Sequence, residues 1–554
     1  MTKSNARTGG QILIDQLVAQ GVERATCVPG ESYLAALDAL HDSPVDVVIC
    51  RAEGGAAMMA EAYGKLTGRP GICFVTRGPG STNAAHGVHI AMQDSTPMIL
   101  FVGQVDTGMR EREAFQELDY KAVFGTMAKW AVEIDRPDRI PELVARAFRV
   151  ALQGRPGPVV ISLPENMLTE TAAVADAPRV EPAASWPSPS DLDRLGAMLA
   201  AAKAPLVILG GSAWTADAAN GIARFAERFD LPVATSFRRA SLFDADHSHY
   251  AGDLGIGPSP SLKARVTDAD VILLIGGRMS EMPSSSYTLL DIPVPSQKLI
   301  HVHPGSEELG RVYQPALAIQ ATPTAFAAAI EMMKSAGAPA WTGEAAKAHA
   351  DYLAWTEKPR ELPGHFQYGQ VVTWLRDRLP KDAIVCNGAG NYAGWIHRHH
   401  RFHTFAAQLA PTSGSMGYGV PAAVMAKRHY PDRVVVAFAG DGCFLMNGQE
   451  FATAVQYDAS LIVVVIDNGQ YGTIRMHQER DYPGRVVGTQ LKNPDFAMYA
   501  KAFGGYGERV ERTEEFAPAF ERALASGKPA ILHCIVDPRA MSVGKDFVPE
   551  ESKR

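Results

Sequence analysis

Two short polar sites lie close together late in the chain, Gly440-Asp441-Gly442 and Asp467-Asn468-Gly469. Each follows an apolar run, "RVVVAFA" and "LIVVVI". Between them, "NGQEFATAVQYD" (447–458) has helical spacing, with Phe451, Ala454 and Val455 on one face. Strand, helix and strand make a βαβ unit, whose crossover is almost always right-handed. Gly440-Asp441-Gly442 then reads as the turn after the first strand. Both polar sites open at carboxyl ends of parallel strands, into the crevice where doubly wound sheets hold ligands. Asp441 and Asn468 are 27 positions apart (468 − 441), yet the unit sets them side by side. A carboxylate oxygen, an amide oxygen and exposed carbonyls are hard ligands suited to Mg²⁺, which shares its octahedral shell with phosphate oxygens. Glycines admit a phosphate close to the backbone, and a helix start near Asn447 adds partial positive charge. The chemistry these residues predict is a Mg²⁺-bridged diphosphate. Either site alone is ordinary turn chemistry; the pair, each behind a strand, points to a ligand.

The rest of the chain supplies the elements that must position such a site. It has 554 residues, too many for one hydrophobic core. Apolar runs such as "VDVVIC", "GICFVT", "PMILFVG", "PVVISLP", "PLVILGG", "DVILLIGG", "LIHVH" and "DAIVCNG" alternate with amphipathic stretches. Buried parallel strands with helices between them read this way, so the predicted fold is α/β and doubly wound. An Ala-, Pro- and Ser-rich stretch (169–191) and a second stretch of low hydrophobicity (335–349) break the pattern. Three domains are expected, at 1–175, 190–335 and 360–554. Net charge is −7 with no long basic run, which argues against a nucleic-acid partner. No stretch has the roughly 20 apolar residues needed to span a bilayer, and the N-terminus has no apolar core of signal-peptide length. Six scattered cysteines without a CxxC pair are expected to be reduced, packed thiols of a cytoplasmic protein.

From Gly440-Asp441-Gly442 to Asp467-Asn468, the chain resembles the signature of thiamine diphosphate (ThDP) enzymes, GDG followed by a stretch ending in Asn-Asn. Asp467 stands at the first asparagine position and Asn468 keeps the second. The resemblance implies Asp441, Asn468 and Gln470 as Mg²⁺ ligands, the last through its carbonyl, with Cys443, Tyr471 and Gly472 beside them. Residues 51–105 are similar to the pyrimidine-binding domain of acetolactate synthase and its relatives. There the matching glutamate, Glu53, contacts N1′ of the cofactor's aminopyrimidine. A carboxyl group at that nitrogen favours the imino tautomer, which takes the proton from C2. Taken alone, Glu53 is equally a helix-start acid near the macrodipole. Pro29 and Gly30, with Gly78 and Asn83, match loops bordering the cofactor. Met416, after Ser415, matches the apolar residue that holds the two rings in a bent shape. Gly390, Asn391 and Tyr392 align with a loop contacting the diphosphate, where relatives carry Gln-His for the last two.

Acetolactate synthase decarboxylates a 2-keto acid and joins the remaining fragment to a second carbonyl compound. "EAFQELD" (113–119) and "MAKW" (127–130) match its acceptor segments, making Phe115, Gln116 and Lys129 candidates for substrate contacts. The position of a tryptophan that shapes the acceptor site falls on His477, so the substrate pair is open. A simple decarboxylase releasing aldehyde and a non-catalytic ThDP-fold subunit are the alternatives. A dinucleotide-dependent dehydrogenase would need a GxGxxG turn with an acid about 20 residues on, and none is well placed. The central part resembles a Rossmann-like domain that holds FAD in some members. "GDLGIGPSP" (252–260) is not a GxGxxG, and Arg278 matches a flavin-contacting arginine, so FAD stays open. In this family ThDP lies between subunits, which implies a homodimer and by extension a homotetramer. "HRHHRFH" (397–403) is expected to be a basic, solvent-facing segment without nearby acidic partners for a metal.

Overall fold

The ten apolar runs of the sequence all become strands in the computed structural model, which describes residues 6–334, 337 and 339–544. They join eight less apolar strands to make three six-stranded sheets, parallel throughout. The first sheet holds β1 (Arg24–Cys27), β2 (Asp46–Ile49), β3 (Gly71–Val75), β4 (Met98–Gln104), β5 (Trp130–Glu133) and β6 (Pro158–Pro164), in the order β2-β1-β3-β4-β6-β5. The second holds β7 (Pro205–Leu209), β8 (Val233–Ser236), β9 (Tyr250–Leu254), β10 (Val271–Ile275), β11 (Lys298–His303) and β12 (Leu317–Gln320), in the order β9-β8-β7-β10-β11-β12. The third holds β13 (Ile384–Asn387), β14 (Gln408–Leu409), β15 (Val435–Gly440), β16 (Ile462–Asp467), β17 (Tyr506–Val510) and β18 (Ala530–Ile535), in the order β14-β13-β15-β16-β18-β17. The fold is α/β and doubly wound, as predicted.

Two compact units contain these sheets. One runs to Ala183 and takes in Val424–His429; the other spans Ala184–Ala423 and continues from Tyr430, carrying the second and third sheets. No strand occurs between Ala172 and Pro205, nor, among the described residues, between Gln320 and Ile384. Of the expected boundary at 335–349, residues 335, 336 and 338 lie outside the described residues. All six cysteines are buried and free. Among the described residues no helix is long and apolar enough to cross a membrane.

In the first unit, the small residues of "EGGAAMMAEA" have a packing purpose. They form helix α1 (Glu53–Thr67), which ends on Gly68 in the left-handed conformation. It lies against helix α2 (Gly78–Asp94) so closely that a Cβ on Gly87 would sit 2.4 Å from the Cβ of Ala57. One turn back on each helix stand Glu53 and Asn83, so the close crossing sets those two side chains together. Replacing Gly87 by Val is expected to force α1 and α2 apart, at about 1–3 kcal/mol of stability. Denaturant titration reads the loss, and activity should fall with it because the Glu53–Asn83 pair is displaced.

The third sheet corrects one local reading. Residues 441–456 are not a turn followed by one helix. Helix α3 (Asp441–Asn447) starts directly on Gly440, and helix α4 (Glu450–Gln456) follows after Gly448 and Gln449. Gly440-Asp441-Gly442 is therefore the first turn of a helix, and Asn447 marks a helix end. Gly448 breaks the run where a Cβ would meet the Phe444 ring at 2.5 Å.

Candidate active site

The parallel register of β15 and β16 pairs Gly440 with Ile466. Asp441 and Asn468 thus leave adjacent strand ends, as the βαβ reading requires. A cavity of about 230 Å³ opens there in the second unit. Of the expected residues, Gly390, Asn391 and Tyr392 line it, as do Met416 and the turn from Gly440 to Cys443. Asn468, Gln470, Tyr471 and Gly472 complete that set. Ser415 does not line the cavity; its hydroxyl shares a hydrogen bond with Ser413 at 3.0 Å. Met416 packs on the apolar core of the third sheet while reaching the cavity. No side chain caps the amino end of α3. Its first-turn amides and the helix dipole therefore favour an anion at this wall.

Asp441 is held from outside the cavity lining by a network centred on Asn493, which sequence reasoning missed. Its Nδ2 donates to Asp441 Oδ2 at 2.7 Å and to Asp467 Oδ1 at 2.8 Å. Asp467 Oδ2 meets His533 Nε2 at 2.8 Å. Burial pushes the Asp441 carboxyl up to about 6, opposed by the Asn493 and Gly442 hydrogen bonds and assisted by the charge of Asp467. Burial acts on Asp467 too, but hydrogen bonds from His533, the Gly469 amide and Asn493 outweigh it and hold that carboxyl low. Asp441, Asn468 and Gln470 bring oxygen donors, the kind of ligand Mg²⁺ takes, to the same cavity. Among the described residues, Asn468 Oδ1 accepts only a long 3.3 Å bond from the Gln470 amide. The Gln470 side chain is committed to Pro538 O at 2.7 Å, which leaves its carbonyl as the candidate ligand. The buried Oδ1 of Asn493 has no hydrogen-bond partner among the described residues. The donor set therefore fits a hydrated divalent cation beside phosphate oxygens.

Asn493→Ala is expected to weaken Mg²⁺ binding about 10- to 100-fold, because it removes the one amide that holds both carboxylates in place. Mg²⁺-dependent quenching of intrinsic fluorescence during titration checks this. No local pattern in the sequence marks Asn493. A polar residue inside "AILHCI" was the available signal for His533.

Tyr392 and Asn391 depart from the Gln-His of relatives, and both are engaged within the chain. The Tyr392 hydroxyl accepts from the Gly388 amide at 3.0 Å and lies 3.4 Å from the Cys443 sulfur. Asn391 donates to Met541 O at 2.6 Å, and Thr473 donates to Asn391 Oδ1 at 3.1 Å. Apolar cavity residues that the sequence did not single out include Ile474, Val536 and Met541. His477 lies one turn beyond Thr473 on helix α5 (Gly472–Asp481) and does not line the cavity.

In the first unit, Asn83 Nδ2 donates to Glu53 Oε2 at 3.0 Å. A Cβ on Gly80 would stand 3.4 Å from Glu53 Oε1, so the first turn of α2 runs close beside the carboxyl. The Gly78 amide donates to Gln116 O at 2.9 Å, which ties the Gln116 segment to the same helix start. Gln116 takes a φ of +64° there. Phe115 is 72% exposed. Pro29 is exposed, and Gly30 packs on Thr76, where a Cβ would meet the threonine Cβ at 2.5 Å. Lys129 is not brought to Glu53. Its ammonium donates to Val150 O and Gln153 O, at the carboxyl end of the helix Ile140–Leu152. That is favourable helix-end chemistry for a cation and engages the group the substrate contact required.

Two further expectations are corrected. The 397–403 segment is not solvent-facing. His399 is buried with Nδ1 2.9 Å from Thr356 O. Arg398 lies over the Trp355 ring at 3.6 Å. Burial lowers His399 to about 4 and His400 to about 3, which keeps both neutral. Acidic partners are also present: His403 Nδ1 stands 2.9 Å from Asp244 and 3.4 Å from Asp246. These acids are distant in sequence, and Lys381 already pairs with Asp246 at 3.0 Å. In the second sheet, Gly210-Gly211 and Gly276-Gly277 follow adjacent strands and pack backbone to backbone. A Cβ on Gly211 would fall 1.8 Å from Gly276 O, and Trp214 Nε1 donates to Gly210 O. These glycines serve chain crossing, so their number is no argument for a flavin pyrophosphate.

Comparison with known proteins agrees with this geometry. Residues 388–534 match the C-terminal TPP binding domain of thiamine pyrophosphate enzymes. Residues 7–123 match the N-terminal TPP binding domain, and 192–330 the central domain. The chain belongs to the thiamine pyrophosphate enzymes. Within them it is similar to acetolactate synthase large subunits. It is 30% identical over 534 residues to the isozyme 2 large subunit of Escherichia coli (strain K12), covering 96% of this chain and 95% of that one. It is 30% identical over 548 residues to the Corynebacterium glutamicum large subunit, covering 96% and 87%. The Parasynechococcus marenigrum large subunit is 31% identical over 545 residues, covering 95% and 87%.

Proposed function

We propose that this chain is a ThDP- and Mg²⁺-dependent enzyme that decarboxylates a 2-keto acid and joins the remaining fragment to a second carbonyl compound, in the manner of acetolactate synthase. The observation that carries the reading is the convergence of Asp441, Asn468 and Met416 on one cavity beside the uncapped start of α3. When bound, ThDP supplies the nucleophilic carbon and the electron sink that decarboxylation needs. The chain's own residues do the rest. Asp441, Asn468 and the Gln470 carbonyl hold the metal, and Asn493 sets the direction of the Asp441 carboxylate. Met416 supports the cofactor rings. Glu53 Oε2 is committed to Asn83, so Oε1 is the atom that holds or moves a proton at the aminopyrimidine nitrogen. Gln116 and Phe115 border the acceptor, and Lys129 is left out.

The reading includes three domains near 1–175, 190–335 and 360–554, and a cytoplasmic homodimer that pairs into a tetramer. Glu53 and Asp441 of each site then come from different protomers. The reading leaves FAD in the central domain open. His477 at the tryptophan position leaves the substrate pair open, and the second reading is a simple decarboxylase releasing aldehyde. A product screen separates them: ThDP, Mg²⁺ and a panel of 2-keto acids are supplied, and CO₂, aldehyde and hydroxy-ketone products are followed. CO₂ with a ligated product is expected. Aldehyde alone selects the decarboxylase, and no CO₂ from any acid leaves a non-catalytic binding subunit.

A further inference from the structure

The carboxyl-terminal end of α1 borders a second cavity in the first unit, of about 200 Å³. It is lined by Tyr63, which lies ten residues along the helix from Glu53, about 15 Å at 1.5 Å per residue. Val22, Phe148, Leu152 and Val180 give it an apolar floor. Three guanidinium groups, Arg24, Arg69 and Arg179, stand at its walls.

The charge around it does not cancel. Asp46 takes both Arg24, at 2.7 Å, and Arg428, at 2.5 Å. Arg69 pairs with Glu23 at 3.0 Å. Arg179 is exposed and has no hydrogen bond or ion pair among the described residues. Four arginines against two carboxylates leave a local charge of +2 (4 − 2). Arg179 is also placed by backbone shape. Gly21 takes a φ of +79°, and a Cβ there would sit 3.1 Å from the Arg179 guanidinium carbon. Glycine at 21 allows both the left-handed turn and the flat guanidinium laid over it. Tyr63 is only 6% exposed, and its hydroxyl faces the Arg69 guanidinium. Guanidinium donates and cannot accept, so the phenol proton needs an acceptor from elsewhere.

We propose that this cavity binds a small organic carboxylate, at a site separate from the thiamine site. The carboxylate oxygens suit the planar fork of Arg179 and Arg69 and the Tyr63 hydroxyl. An apolar body suits the floor, where hydrocarbon leaves water. The inference does not rest on the proposed reaction.

The test is calorimetric titration of the full-length protein with isovalerate, inorganic phosphate and 3-methylbutan-1-ol, at low salt. Isovalerate should bind, with the alcohol and phosphate each at least tenfold weaker. Arg179→Ala and Arg69→Gln should each weaken isovalerate at least tenfold, with unchanged melting temperature showing the fold intact. Asp441→Ala should leave the titration unchanged, because that residue belongs to the other site. The proposal is overturned if isovalerate does not bind, or if phosphate binds as tightly. It is equally overturned if both arginine variants bind isovalerate like the parent, or if Asp441→Ala removes the binding.

Discussion

Glu53→Gln removes nearly all turnover and leaves cofactor affinity within a few-fold of the parent. The substitution keeps volume, and the amide oxygen still accepts from Asn83, whose bond to Glu53 Oε2 is 3.0 Å. What disappears is a group able to hold or release a proton at Oε1. General acid–base groups contribute about 10²–10⁴-fold in rate, and kcat should fall within that span. The measurement is steady-state kcat alongside ThDP binding by equilibrium dialysis. Near-normal kcat contradicts the assigned role. Loss of ThDP binding equal to the loss of kcat makes Glu53 a binding residue only.

Asp441→Ala has the other large effect, on cofactor retention. The carboxylate is 3% exposed and receives Asn493 Nδ2 at 2.7 Å. Removing it takes the only charged oxygen from the three candidate ligands and leaves Asn493 with a single acceptor. Disturbing the groups behind a metal ligand already costs about 10–100-fold in affinity, so loss of the ligand itself should exceed about 100-fold. Because ThDP and metal bind the folded state, the stabilisation they confer should vanish too. A ligand at 100 times its Kd adds about 2.7 kcal/mol, visible as a melting shift in the parent and absent in the variant. A variant that is still stabilised by ThDP and Mg²⁺ contradicts the ligand assignment.

Much of this architecture was legible in the chain because parallel strands buried on both faces are nearly uninterrupted apolar runs. "LIVVVI" and "RVVVAFA" are as plain in sequence as in the sheet. The strands that were harder to see, such as Tyr250–Leu254 with its Asp253, carry polar residues or glycines in mid-strand. The Asp441–Asn468 pair was legible for the same reason, since two strand ends in one βαβ unit must be neighbours. Asn493 and His533 were not, because they reach Asp467 through contacts 26 and 66 residues long. The histidine segment misled in a related way. His399 is capped by a carbonyl 43 residues upstream and His403 by Asp244, 159 residues away. Lys129 shows the converse, a residue in a family-like segment whose ammonium the fold engages at a helix end. The break at Gly448 escaped because it depends on where the Phe444 ring lies, which spacing does not reveal.

The most direct test of the central claim is calorimetric uptake of ThDP by metal-stripped protein, with Mg²⁺ present and with chelator in its place. Cofactor held through a cation on Asp441 and Asn468 predicts saturable, stoichiometric binding with Mg²⁺ and at least about 100-fold weaker binding without it. Equal affinity under both conditions, or no uptake under either, contradicts it.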